Sequence, residues 1–302
     1  MNKLLLCGVA LTALFAMSSS ANAAYVLAMK GPGAGNPFWA AVEAGAKAKA
    51  AELGVEVVVV APPAESDVQA QITQVEDLIA QGIDGLAIAP TDPNALAPVV
   101  ESAKAAGIPV VFVDTRGIND GVTFIGTNNE VGAALAAKYL CDNLAAGSEV
   151  AILQGVMSIA PGRDRFKGSH DTLTACGMNI VAEQTAEWDN AKGQAVTENI
   201  LTAHPNLKAL FASNDNMAMG AIEALKGAKM LDKVMVVGFD GNPEAAEAIL
   251  KGEMAISVAQ RPSNMGSIGV ESVSKLIKGE ALPEVVDTGA ELVTKENADK
   301  FK

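Results

Sequence analysis

The residues that follow the short β-branched runs of this 302-residue sequence are mostly carboxylates and amides. Asn36 comes after the first run, Thr91 and Asp92 after "GLAIAP", and Asp114 closes "PVVFVD". Asn214 and Asp215 follow "ALFAS", and Asp240 follows "VMVVGF". Such positions carry weight because open parallel sheets bind ligands beyond the carboxyl ends of their strands. Carboxylates accept charge-assisted hydrogen bonds from hydroxyls and repel phosphates and other carboxylates. The set therefore suits a neutral ligand rich in hydroxyl groups. Helix N-caps compete for the same residue types. Asp92, Asp215 and Asn216 are expected to cap helices, while Asp114 and Asp240, followed by "TRG" and "GNP", are expected to face a ligand.

The stretch "MKGPGAGNPFW" puts Gly31, Gly33 and Gly35 after the first run. A dinucleotide fingerprint needs G-x-G-x-x-G opening a helix, so that free backbone N–H groups meet the pyrophosphate. Here Asn36 stands in the third glycine's place, Pro37 has no N–H, and Phe38 and Trp39 fill the space a pyrophosphate needs. An amide beside two flat apolar faces suits a polyhydroxylated ring instead. Both tryptophans, Trp39 and Trp188, lie in segments flanked by Asn or Asp and are read as loop residues rather than core. No G-x-S-x-G, H-E-x-x-H, P-loop or C-x-x-C pattern occurs, and no spacing suggests a metal site. The two histidines, His170 and His204, read as solvated.

These residues must be held by an alternation of strands and helices. "YVLAM", "EVVVV", "GLAIA", "PVVFV", "FIG", "EVAIL", "NIVAE", "ALFA", "VMVVG" and "AISVA" are nearly continuous apolar runs, as in parallel strands covered on both faces. Helices are expected over 38–53, 67–81, 94–106, 130–144, 163–176, 190–204, 216–225, 243–251 and 265–278. The βα alternation predicts an α/β fold with helices on both faces of parallel sheets. About ten strands exceed one doubly wound unit, so two lobes are expected, with a crossing near "GTNNEVG".

The first 23 residues, with Lys3, an apolar run and Ala21-Asn22-Ala23, read as a secretory signal peptide cleaved after Ala23. The formal charge of −13 argues against nucleic acid or anionic lipid as partners. Cys141 and Cys176 follow the expected leader and sit near the ends of successive expected helices, so a disulfide between them is expected in an oxidising compartment.

The stretches "NPFW", "GIPVVFVDT", "GRDRFKG", "NILTAHPNLKALFASNDNMAMGA", "VMVVGFDGNPEA" and "MAISVAQRP" resemble type I periplasmic sugar-binding proteins of ABC importers, particularly the ribose- and allose-binding branch. The resemblance implies two doubly wound parallel-sheet lobes joined by three crossing segments. The lobes would comprise 24–127 plus 261–288 and 128–260 plus 289–302. It implies a sugar in the interlobe cleft, no cofactor and no catalysis, and a periplasmic monomer that serves an inner-membrane ABC permease, with a chemoreceptor as an optional further partner. Matched position by position, Asn36 would hydrogen-bond the sugar, Phe38 and Trp39 would pack on it, and Asp114 would accept its hydroxyls. Arg165, Trp188, Asn214, Asp240 and Gln260 would complete the set.

Ribose-binding relatives have Asp-Arg where this chain has Asp114 and Thr115, so one arginine contact is displaced to Arg116 or lost. Lys30 matches a lysine of allose-binding relatives, but "GPGAG" sets it six residues before Asn36 rather than four, reshaping the rim. The ligand is thus expected to be an aldohexose or pentose, with a polyol or inositol second. A repressor's effector domain would need a helix-turn-helix before "YVLAM". A sugar-acting or NAD-linked enzyme would need an acid/base pair or an intact glycine fingerprint. Asp114 and Asp240 could form a glycosidase pair, but the matched arginine and amides are expected to hold both ionised.

Overall fold

The computed structural model describes residues 24–302; the expected leader and its Cys7 lie outside the described residues. The chain runs β1 (Ala24–Ala28), α1 (Pro37–Leu53), β2 (Glu56–Val60), α2 (Val68–Gln81), β3 (Gly85–Ile88), α3 (Pro93–Ala105), β4 (Val110–Val113) and β5 (Thr123–Gly126). It continues with α4 (Asn129–Asn143), β6 (Glu149–Gln154), α5 (Ala160–Ala175), β7 (Asn179–Thr185), α6 (Asn190–Ala203), β8 (Ala209–Ala212) and α7 (Asp215–Gly227). Then come β9 (Met235–Val237), α8 (Pro243–Lys251), β10 (Ser257–Ala259), α9 (Pro262–Ile277), β11 (Val285–Asp287), β12 (Glu291–Val293) and a closing 3-10 turn, Ala298–Phe301.

One parallel sheet has six strands in the order β11-β5-β4-β3-β1-β2, and a second has four in the order β7-β6-β8-β9. Each sheet is covered on both faces, which is why its strands read as unbroken apolar runs. In β1, Tyr25 and Leu27 enter one core while Val26 and Ala28 enter the other. The β10–β12 pair is antiparallel and touches the end of the second sheet through the bridges Val237–Ile256 and Asp240–Ala259. The chain passes between the lobes three times: after β5, after β10, and between β11 and β12. Two of these crossings are tied side by side, with the Thr127 and Thr288 hydroxyls 3.3 Å apart.

The first lobe is closed by a helix from late in the chain. A Cβ on Gly45 of α1 would lie 1.9 Å from the Ser263 carbonyl, and one on Gly266 of α9 would lie 1.9 Å from the Val42 carbonyl. Reciprocal glycines thus let the two helix backbones touch. In the second lobe, Cys141 and Cys176 form a disulfide between the ends of α4 and α5.

The structure departs from the sequence reading in a few places. α5 begins at Ala160 and α9 at Pro262, each three residues early because a proline in the first turn costs no hydrogen bond. β11 and β12 are additional strands of three residues, partly exposed, with too little apolar pattern to be seen alone. Trp39 is in the first turn of α1 and 1% exposed, not in a loop.

Candidate ligand-binding site

Strand ends supply most of the site. Lys30 follows β1, Asp114 follows β4, Trp188 follows β7, Asn214 follows β8, Asp240 follows β9 and Gln260 follows β10. Together with Asn36, Phe38 and Trp39 of the α1 entry and Arg165 of α5, these side chains line one cavity. Its free volume is about 30 Å³, room for a water or two rather than a sugar ring. A ring-sized ligand therefore enters only when the walls move apart.

Two buried ion pairs organise the walls, one from each lobe. Lys30 Nζ lies 3.1 Å from Asp114 Oδ2 and donates to Thr115 Oγ1 at 3.0 Å, and that hydroxyl donates to Asp114 at 2.7 Å. Thr115 thus braces the pair from outside the lining. Lys30 is buried, not a rim residue, and its ammonium stands 5.6 Å from the Trp39 ring and 5.8 Å from the Trp188 ring of the other lobe. Arg165 donates to Asn129 Oδ1 (2.7 Å), Ser213 O (2.8 Å) and Asp240 Oδ1 (3.2 Å). Its guanidinium stacks 3.9 Å from the Phe239 ring centre. Gln260 Nε2 donates to the same Asp240 oxygen at 2.7 Å.

Two polar atoms of the lining residues are left over. Trp188 Nε1 and Gln260 Oε1 are buried without a hydrogen-bond partner, a costly state that a bound polar group would relieve. Backbone strain gathers here too. Asp114 (φ 62°), Trp188 (φ 67°) and Asp240 (φ 131°) have positive φ without being glycine, at a cost of roughly 1–3 kcal/mol each, a pattern that clusters at binding sites. Among the described residues, no group of three or more His, Cys, Asp or Glu could hold a metal ion.

The periplasmic binding protein domain profile matches residues 27–281 of this sequence. The chain belongs to the periplasmic binding protein family. It is 36% identical to the ribose import binding protein of Bacillus subtilis over 86% of this chain and 84% of that one. An ABC transporter periplasmic solute binding protein of Actinobacillus succinogenes with bound D-allose superimposes with a TM-score of 0.87 at 31% identity, covering 92% of this chain and 99% of that one. The Caulobacter myo-inositol binding protein bound to myo-inositol gives a TM-score of 0.85 at 31% identity, covering 92% and 95%.

Within this family frame, several sequence readings need correction. Asp92 caps α3, but the cap of α7 is Asn214, whose Oδ1 accepts from the Met217 amide, and not Asp215 or Asn216. Asp215 is buried in the first turn, accepting from Ser257 Oγ at 2.7 Å and the Asn242 amide at 2.8 Å. Burial and the neighbouring Asp240 charge hold its carboxyl well above the usual range, against the pull of these hydrogen bonds. Asn36 also caps a helix, accepting from the Phe38 and Trp39 amides. Thr91, Asp92 and Asp215 line the wider groove outside the cavity rather than the cavity itself. Arg116 pairs with Glu284 at 3.1 Å on the surface and lies over Phe124, so the second arginine is lost from the site and Lys30 provides the cation beside Asp114.

Asp240 also departs from expectation. Burial pushes its carboxyl up to about 6, outweighing the Arg165 charge and the Gln260 hydrogen bond, with Asp114 adding to the rise. The arginine and amide therefore keep Asp240 ionised only above about pH 6. Sequence reasoning missed Glu65 and Pro161, which also line the cavity, and Asn129, which holds Arg165. Glu65 lies five residues beyond β2, past the strand-end positions that attract attention.

Proposed function

We propose that this chain is the periplasmic binding component of an ABC importer, capturing a neutral sugar of ribose or allose type between its lobes. The observation that carries the reading is the convergence of both tryptophans, two buried cation–carboxylate pairs and two unpartnered buried polar atoms on one cavity. Carboxylates and amides accept ring hydroxyl protons, Arg165 and Lys30 donate to ring oxygens, and the indoles cover the apolar ring faces. The relatives named for ribose and bound to D-allose support the class. The myo-inositol-bound neighbour supports a cyclitol as the second reading.

In this reading, residues 24–127 with 261–288 form one lobe and residues 128–260 with 289–302 the other. The three crossings act as a hinge, and closure buries the ligand contacts Lys30, Asn36, Phe38, Trp39, Asp114, Arg165, Trp188, Asn214, Asp240 and Gln260, with Thr115 behind Asp114. The leader directs export and is cut after Ala23, and the closed monomer hands its unaltered cargo to an inner-membrane permease. A chemoreceptor reading the closed form is compatible with the same surface.

A thermal-shift screen of the mature protein against pentoses, hexoses, polyols and inositols tests this. A ligand at a hundredfold excess over Kd stabilises the native state by about 2.7 kcal/mol. Calorimetry then confirms stoichiometric binding, and NMR of the recovered ligand should show it chemically unchanged. If no member of the panel shifted the melt, the sugar reading would fail. Conversion of the ligand would replace it with an enzymatic one.

A further inference from the structure

Glu65 sits in the 61–67 segment between β2 and α2 and, of the three cavity carboxylates, stands farthest from its cation. Lys30 pairs with Asp114 and Arg165 with Asp240, whereas Lys30 Nζ is 3.9 Å from Glu65 Oε2, beyond hydrogen-bond reach. The two oxygens of Glu65 differ in use. Oε1 accepts from Trp39 Nε1 at 2.8 Å and from Asn36 Nδ2 at 3.5 Å, so it fixes the indole. Oε2 accepts no hydrogen bond from the described residues.

The glycine-rich stretch makes room for this carboxylate. A Cβ on Gly31 would lie 2.8 Å from Glu65 Cγ and 3.2 Å from Trp39 Cδ1, so a larger residue there would displace both. Glu65 lines both the cavity and the wider groove beside it, as do Asn36 and Trp188. It therefore marks the mouth of the site. A ligand group that reaches it must project from the ring toward the groove.

We propose that Glu65 is a specificity-determining residue whose free Oε2 accepts a hydrogen bond from the exocyclic hydroxymethyl group of an aldohexose, favouring hexoses over pentoses. The inference rests on the sugar-binding reading above and sharpens it. The carboxylate charge makes Oε2 a strong acceptor, and a pentopyranose has no exocyclic carbon to meet it.

The test is calorimetry with D-allose, 6-deoxy-D-allose and D-ribose on the wild type and on Glu65→Gln. The glutamine carbonyl can keep the Trp39 bond while its amide removes the second acceptor. Wild type should bind D-allose about 10- to 100-fold more tightly than the 6-deoxy sugar, the range for one charge-assisted hydrogen bond. Glu65→Gln should compress that ratio to within about threefold and leave 6-deoxy-D-allose affinity nearly unchanged. An unaltered ratio, or an equal loss for all three sugars, would limit Glu65 to bracing Trp39 and overturn the proposal. A wild type that binds none of the three but binds another sugar or cyclitol overturns the hexose assignment alone. A wild type that binds no sugar or cyclitol overturns the function beneath it.

Discussion

Replacing Asp240 by asparagine should make the ligand-free protein more stable and its binding weaker, and the structure sets both magnitudes. The carboxyl is raised from an ordinary 3.8 to about 6, and each unit corresponds to 1.36 kcal/mol. Ionised Asp240 therefore costs the native state on the order of 3 kcal/mol. Because the native value lies above the unfolded one, the native state holds a proton between about pH 4 and pH 6 that the unfolded chain has released. Stability falls as pH rises through that window and stays low above it. Asn is a neutral isostere, so the Asp240→Asn variant should match wild type near pH 4. At pH 8 it should melt roughly 6–12 °C higher, at about 2–4 °C per kcal/mol. Sugar affinity at pH 8 should fall about 10- to 150-fold, the scale of one lost charged acceptor. Wild-type affinity should drop about tenfold between pH 7 and pH 5 as the carboxylate is protonated, while the variant's profile stays flat. Calorimetric melts and titrations across this range decide the matter. A variant that melted below wild type at pH 8, or bound sugar with full affinity, would refute the reasoning.

Three further outcomes are expected. Trp39 is 1% exposed and already bonded, whereas Trp188 keeps an unpartnered Nε1; ligand-induced fluorescence change should therefore vanish in Trp188→Phe and survive in Trp39→Phe. Replacing Cys141 and Cys176 by serine opens a loop of sequence separation 35, which should cost about 3–4 kcal/mol and lower the melting temperature, with sugar affinity unchanged by calorimetry because the bond lies outside the cavity lining. Asn129→Ala removes the Oδ1 that receives Arg165 Nε and the amide that reaches the Thr127 carbonyl. Sugar affinity should fall about 5- to 30-fold by calorimetry, and unchanged affinity would mean that Ser213 and Asp240 suffice to hold the guanidinium.

Much of the fold was legible because burial on both faces of a parallel sheet leaves a run such as "VVFV" with no polar position. β11 and β12 lacked that signature: three residues each, they depend on partners more than 30 residues away. Asp114 and Asp240 were found from their place after strands, and the cavity gathers both. The run "SNDN" could not reveal which member caps α7, since Asn and Asp serve equally well and only the turn geometry chooses. The raised carboxyl of Asp240 was hidden because it arises from summed burial rather than from any neighbour in sequence. Glu65 was hidden for a related reason: its partners Lys30, Asn36 and Trp39 lie about 26 to 35 residues earlier, after β1 and at the start of α1.

The contact between α1 and α9 bears on the order in which the lobes can form during synthesis. α1 is made early, yet the helix that covers it spans Pro262–Ile277, and the edge strand of its sheet is Val285–Asp287. Until nearly the whole chain has been made, the close-packing face at Gly45 has no partner and the first sheet lacks an edge. The strands of the second sheet, by contrast, lie within one continuous stretch, Glu149–Val237. A partly synthesised chain therefore cannot complete its first lobe, whose unpaired helix face keeps it loose while the remainder is made. This arrangement delays completion of the first lobe until about the last seventh of the sequence is available.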